Sequence, residues 1–218
     1  MIRPRVPETD QGIQGEFNVT IYDQMQRSLR DKGWIETKEL LKQGITQGCA
    51  LEIGPGPGYL GLEWLKYTQG TTLKGLEIST DMITLAEHNA SEYGLSQRVE
   101  YVHSSGSKMP FDDNAFDAIF TNDSLHEWED PQGTLREIGR LLKPGGKVLI
   151  SDFRRDMPTF GRWFLWINCQ PKEIRPGLIT SINAAYTPEE LKELIKGIKL
   201  ENCTVSSNLF GMMLFGDK

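Results

Sequence analysis

The spacing of apolar positions changes character near residue 49. From about Glu16 to Lys42, Ile21, Met25 and Leu29, then Leu40 and Leu41, recur at helical spacing with a break at Gly33, which predicts a helical lead. From Cys49 onward, short apolar runs alternate with helical segments. CALEI precedes a helix over Leu60 to Tyr67, and TLKGLEI precedes one over Asp81 to Tyr93. RVEYV follows, then FDAIF before a helix over Gln132 to Leu142, then KVLISDF. Such alternation predicts βαβ units and a parallel sheet with helices on both faces. Gly94 stands where a helix-ending glycine belongs, and Pro144-Gly145-Gly146 stops the next helix and turns the chain into a strand. Thr187-Pro188-Glu189-Glu190 reads as a capping box with proline at the first helical position. ENCTVSS and LFGMMLF read as two closing strands.

Composition narrows the function classes. The 218 residues carry 24 Lys+Arg against 30 Asp+Glu, a formal charge of −6. A balance on the acidic side argues against a protein that coats phosphate backbones, so no nucleic-acid partner is expected. Residues Arg154 to Arg175 form a locally basic stretch that reads either as a solvated face or as a patch for an anionic substrate. Cys49, Cys169 and Cys203 are far apart with no C-x-x-C pair, so neither a disulfide framework nor a zinc site is expected. No run of 18 apolar residues is present and the N-terminal stretch lacks an apolar segment, which predicts no membrane span and a cytoplasmic chain. A flexible start, a helical lid over residues 1–45 and one α/β domain over 46–218, with 154–186 as a substrate-side insertion, is the organisation these patterns predict.

The 22 glycines are more than composition alone requires, and four of them fall between Gly54 and Gly61. A strand, a glycine-rich turn and a helix in that order let backbone approach a nucleotide at the carboxyl edge of a sheet. A plain turn would need one or two glycines. Gly56-x-Gly58-x-x-Gly61, with Glu77 downstream, also fits a dinucleotide fingerprint and an NAD-dependent oxidoreductase. Pro55 and Pro57, however, remove two N–H donors that a pyrophosphate needs. A Glu52 carboxylate about 5 Å from a phosphate would cost roughly 3 kcal/mol at an effective dielectric near 20. A cationic ligand suits this loop better.

The stretch EIGPGPG resembles the first motif of class I S-adenosylmethionine-dependent methyltransferases, whose cofactor bears a sulfonium and an ammonium and no phosphate. MPFDDNAFDAIFTNDSLHEW and LLKPGGKVLISDF are similar to segments of the branch containing ubiquinone and menaquinone C-methyltransferases. The resemblance covers about Cys49 to Phe153. It implies a doubly wound, Rossmann-like sheet of seven strands in the order 3-2-1-4-5-7-6, mostly parallel with the last strand antiparallel. It further implies cofactor contacts at Glu52, Gly54, Gly56 and Gly58, at Glu77 on the ribose hydroxyls, and at Ile78. The fourth strand would carry Asn122, Asp123 and Leu125 toward the methionine moiety. The family's G-D-A before Met109 is here Ser104-Ser105-Gly106, so Ser105 and Gly106 stand at the adenine, with a hydroxyl where a carboxylate is usual.

Methyl transfer from a sulfonium is an in-line displacement in which the protein aligns the nucleophile and can remove its proton. His126, flanked by Asp123 and Glu127, is the candidate general base, with a packing role beside the cofactor as the alternative; Asp123 would orient it or hold a cationic substrate. His88 and His103 read as structural. Substrate choice is expected from Tyr22, as a lid, and from Trp163, Phe164 and Trp166, as aromatics covering the acceptor or packed in a buried helix. The reaction expected is methylation of a small-molecule acceptor, leaving S-adenosylhomocysteine. A cofactor-binding interaction module without turnover is the alternative from another class.

Overall fold

Strand alternation sorts the core into two layers in the computed structural model, which describes residues 4–8, 12–200 and 202–218. The strands are β1 (Cys49–Ile53), β2 (Thr72–Glu77), β3 (Val99–His103), β4 (Phe116–Asn122), β5 (Leu142–Phe153), β6 (Thr204–Ser207) and β7 (Gly211–Asp217). They form one sheet in the order β3-β2-β1-β4-β5-β7-β6, with β7 antiparallel to both neighbours. Successive side chains on a strand point to opposite faces. Leu51, Ile119, Val148 and Ile150 therefore join one layer, and Ala50, Ala118, Phe120 and Leu149 the other.

Each layer is closed by helices whose sequence explains them. On one face lies α5 (Pro131–Leu141), capped by Asp130 and starting on proline, burying Leu135, Ile138 and Leu141. Beside it stands α8 (Pro188–Leu194), whose Thr187–Glu190 capping box is formed as the spacing predicts. On the other face α2 (Thr37–Lys42) and α3 (Tyr59–Tyr67) bury Leu40, Leu60, Trp64 and Leu65. Trp64 stacks at 5.7 Å on Phe120 and donates its indole N–H to Ile45 O at 2.8 Å. The remaining helices are α1 (Glu16–Asp31), α4 (Thr80–Glu92), α6 (Thr159–Asn168) and α7 (Arg175–Ala184).

The strand periodicity is right about order and wrong at some ends. β5 begins at Leu142 because Leu142 pairs with Phe116 before an irregularity, so Pro144-Gly145-Gly146 sits inside the strand instead of before it. β6 starts only at Thr204; of the ENCTVSS run, Glu201 lies outside the described residues. The stretch 154–186 folds as α6 and α7 joined by a short 3-10 turn.

Glu52 shares a strand face with Ala50 and so lies beneath α3, only 2% exposed, with Oε2 lacking a hydrogen-bond partner. Burial, reinforced by the Glu77 charge, pushes its carboxyl up to about 8. A Cβ on Gly61 would come within 2.3 Å of both Glu52 Oε2 and Leu73 Cδ2, so the glycine sets how closely α3 rides on β1 and β2. Gly61→Ala is expected to cost about 1–3 kcal/mol of stability, read from urea midpoints, as overpacking does; an unchanged midpoint would contradict this packing. The folded chain keeps a proton on Glu52 that the unfolded chain releases near 4.5, so stability falls as pH rises from about 4.5 to about 8 and then levels. Urea midpoints at pH 5 and pH 8.5 should show this decline in the wild type and a smaller one in Glu52→Gln.

Candidate functional site

The carboxyl edge of β1 leads into a loop built on left-handed glycines, Gly54, Gly56 and Gly58, at φ 64°, 52° and 84°. Side chains are excluded there by contact as well as by conformation: a Cβ on Gly54 would lie 2.6 Å from Ser124 Oγ, and one on Gly58 2.5 Å from the Tyr101 hydroxyl. The N–H groups of the three glycines are all spent within the protein. Gly54 donates to Leu76 O, Gly58 to Pro55 O, and Gly56 to Glu77 Oε2 at 3.0 Å. A pyrophosphate would find none of these three donors free, which counts against the dinucleotide reading.

Glu77, at the end of β2, holds the loop and faces the cleft. Its Oε1 accepts the N–H groups of Ile78 and Ser79, both at 2.9 Å. Three of the roughly four acceptor positions of a carboxylate are thereby used, leaving one for a ligand hydroxyl. Burial raises its carboxyl above the ordinary range, while those three backbone donors pull it down. An acidic cleft with no spare loop donors and one fixed carboxylate suits a cofactor with a diol and a positive charge, and the residues present fit S-adenosylmethionine on that ground.

The cleft encloses about 850 Å³ of space that includes open solvent, and is lined by Gly54, Gly56, Glu77, Ile78, Ser105, Gly106 and Asp123. Glu52, Gly58 and Leu125 do not line it; Glu52 and Gly58 act from beneath the loop, and Leu125 is buried in the core. At the far end Ser105 Oγ sits 3.3 Å from Ser107 Oγ, exposed. The segment ahead of α1 crosses the cleft: Ser79 Oγ donates to Ile13 O at 2.5 Å and Gly15 N–H to Asp81 at 2.8 Å. Ile13, Ser104, Ser124, Trp128 and Thr134 also line the cleft. No motif singles them out, although Trp128 donating to Ser124 Oγ at 2.9 Å pins the turn that carries them.

Tyr22 lines both this cleft and a larger chamber, as do Gly12, Ile13, Asp123 and Glu127. Its ring would be 3.4 Å from a Cβ on Gly56, and its hydroxyl accepts from Gln26, with burial pushing the phenol up. The chamber is lined by α1, α6 and α7, and by Asn122, Asp123 and His126 at its floor. Asp123 takes a left-handed φ of 52°, a conformation aspartate tolerates, and accepts from Asn122 at 2.9 Å. Burial, with the Asp152 charge, raises its carboxyl to about 7.

His126 lies on a 3-10 turn over Leu125–Glu127 and is buried. Its Nδ1 meets Asp152 Oδ1 at 2.8 Å, and its backbone N–H is held by Asp152 Oδ2 at 2.7 Å. Burial alone would lower the imidazole, but contact with Asp152, then Glu127 and Asp123, carries it up to about 9. The surrounding carboxylates make the ring hold a proton more tightly than a free imidazole, which weighs against a role as general base, while the Asp152 contact on Nδ1 leaves Nε2 as the nitrogen turned to the chamber. His88 and His103 stand at the periphery, near Glu92 and on Ile78 O.

Two further expectations change in the structure. Trp163 and Trp166 are 55% and 42% exposed and do not line the chamber; Phe164 and Leu165, on the opposite side of α6, do. Helical periodicity explains this, since 163 and 166 share one face and 164 and 165 another. The basic stretch is consumed internally. Arg154 pairs with Asp156, Arg155 with Glu190, and Arg175 lies on the Trp166 ring at 4.4 Å.

Comparison with known proteins agrees with this geometry. Residues 51–150 match the family described as "Methyltransferase domain". The chain is 28% identical over 186 residues to a demethylmenaquinone methyltransferase of Bacillus licheniformis, covering 73% of this chain and 77% of that one. It is 31% identical over 102 residues to methyltransferase GfsG of Streptomyces halstedii, spanning 47% of this chain and only 36% of that protein. Among solved structures, a SAM-dependent methyltransferase from Aquifex aeolicus superposes with a TM-score of 0.64 at 21% identity, over 84% of this chain and 89% of the other. Residues 51–150 thus match the methyltransferase domain family, in agreement with the resemblance that the motifs of this stretch carry.

Proposed function

We propose that the chain transfers the methyl group of S-adenosylmethionine to a small-molecule acceptor held in the chamber beneath α1, α6 and α7. One observation carries the reading: a carboxylate at the end of β2 is fixed by three backbone N–H groups beside a loop whose three left-handed glycines donate within the protein. The cofactor supplies an electrophilic methyl group when bound. The protein's part is to hold and to align. Glu77 receives the ribose, with Ile78 beside it, while Ser105 and Gly106 meet the adenine. Gly54, Gly56 and Asp123 face the methionine end, and Glu52 and Gly58 support the loop from below.

The acceptor side is built for exclusion of water more than for acid–base chemistry. Tyr22 lines both cleft and chamber, together with Gly12, Ile13, Asp123 and Glu127, and there it orients an acceptor and keeps solvent from the transfer line. The chamber's walls carry Met25, Leu29, Phe164 and Met212, which favour an acceptor with apolar bulk. The relatives named for demethylmenaquinone methylation are consistent with such an acceptor. No helix among the described residues is long and apolar enough to cross a membrane. A small-molecule acceptor and a cytoplasmic setting are part of the same proposal.

Isothermal titration tests the reading. S-Adenosylmethionine and its demethylated product should both bind the wild type, and Glu77→Ala should lose binding by at least about a hundredfold, as removal of a charged hydrogen-bonding partner does. Absence of binding by both ligands at millimolar concentration would contradict the proposal. Ser105→Asp should tighten binding about five- to tenfold, because a carboxylate outbids a hydroxyl for the adenine amino group. Unchanged or weaker binding would place the adenine elsewhere.

A further inference from the structure

Three side chains from separate parts of the chain converge at the floor of the acceptor chamber. His126 Nε2 faces Glu8 Oε2 at 3.5 Å and Glu127 Oε1 at 3.9 Å. The three atoms all lie within 4.8 Å of one another. A tetrahedral zinc with bonds of about 2.1 Å spaces its ligands about 3.4 Å apart, so the two distances to the imidazole are nearly those of a formed site. Closing the rest requires movement only of two glutamate side chains, 20% and 37% exposed, which have rotamer freedom.

The imidazole is a second and independent observation. Its side chain is 3% exposed, and its other nitrogen is fixed by Asp152, whose carboxylate is fully buried and also anchors the His126 backbone. A buried carboxylate behind a histidine that presents its far nitrogen to a pocket is the arrangement that orients metal-ligating histidines. Among the described residues, Glu8 and Glu127 are the carboxylates that Nε2 meets within 4 Å, both farther than a well-made hydrogen bond.

Charge points the same way. Glu8, Asp123, Glu127 and Asp152 surround a single imidazole. The nearby guanidinium of Arg5 is engaged elsewhere, donating to Ala184 O and His126 O and lying 4.2 Å from the Tyr186 ring centroid. The floor of the chamber therefore carries an excess of acid that a divalent cation would neutralise.

We propose that Glu8, His126 and Glu127 bind a first-row divalent cation of the zinc type, with a remaining coordination position open to the acceptor chamber. All three residues line that chamber. The ion would tie the segment at residues 4–8 to the 3-10 turn. Resting on the methyltransferase reading, it would also hold an acceptor through a sulfur, oxygen or nitrogen atom next to Asp123, at the methyl end of the cofactor cleft.

Cobalt(II) serves as the probe, because a tetrahedral nitrogen and oxygen site gives it visible absorption bands that can be titrated. The wild type should bind one equivalent with such bands, and zinc should displace it. Glu127→Gln and Glu8→Gln, both at partly exposed positions that leave the fold intact, should each weaken binding at least about tenfold. Asp152→Asn should weaken it about 10- to 100-fold through loss of ring orientation. No saturable cobalt or zinc binding at millimolar concentration would overturn the proposal, and so would undiminished binding in both glutamate variants. Titration with S-adenosylhomocysteine on the same samples separates the two claims. Cofactor binding without metal binding overturns the ion site alone, whereas metal binding without cofactor binding upholds the site and overturns the methyltransferase reading.

Discussion

The hydrogen bond from Gly56 N–H to Glu77 Oε2 is the constraint on which the site depends. It ties the loop after β1 to the end of β2, and the remaining two donors to Glu77 come from the backbone that starts α4. Two strands and two helix starts thus share one carboxylate. Holding the loop this way consumes the donors that a phosphate-binding loop must keep free, so one interaction both shapes the site and selects against a pyrophosphate ligand. The same loop resembles a dinucleotide fingerprint as a string of glycines and differs from it in where its N–H groups go.

Beneath the loop lies a second acid, Glu52, which does not line the cleft. Glu52 is buried under α3 with one oxygen unpartnered, and it is held up in the neutral range by desolvation and by Glu77. The charge on Glu77 adds to burial in keeping the proton on Glu52, so the cofactor-facing acid and the buried acid of the β1–α3 unit are coupled in one direction. Gly61 completes the unit by letting α3 approach Glu52 without a side chain between them.

Most of the sheet was legible because its signal is local. CALEI is β1 residue for residue, and the capping box at Thr187 stands where its four residues place it. Strand ends were less legible because pairing decides them: β5 extends back to Leu142 only because Phe116 is there to pair with it. On the cofactor side, order and spacing located the glycine loop and Glu77, while the roles expected of them came from the family resemblance. On the acceptor side order and spacing did not suffice. Which face of α6 lines the chamber depends on how α6 packs against its neighbours, and that kept Phe164, added Leu165 and left Trp163 and Trp166 outside. Asp152 and Glu8 gave no signal either, since they reach His126 from positions 26 residues downstream and far upstream in the chain.

The central claim is that this glycine loop and Glu77 receive a cationic nucleoside and reject a dinucleotide. Ligand-dependent thermal unfolding tests it most directly, because any ligand that binds only the folded state raises the midpoint in proportion to its occupancy. S-Adenosylmethionine and S-adenosylhomocysteine should each raise the unfolding midpoint of the wild type, while NAD at the same concentration should leave it unchanged. A midpoint raised by NAD and indifferent to both sulfur nucleosides would contradict the account.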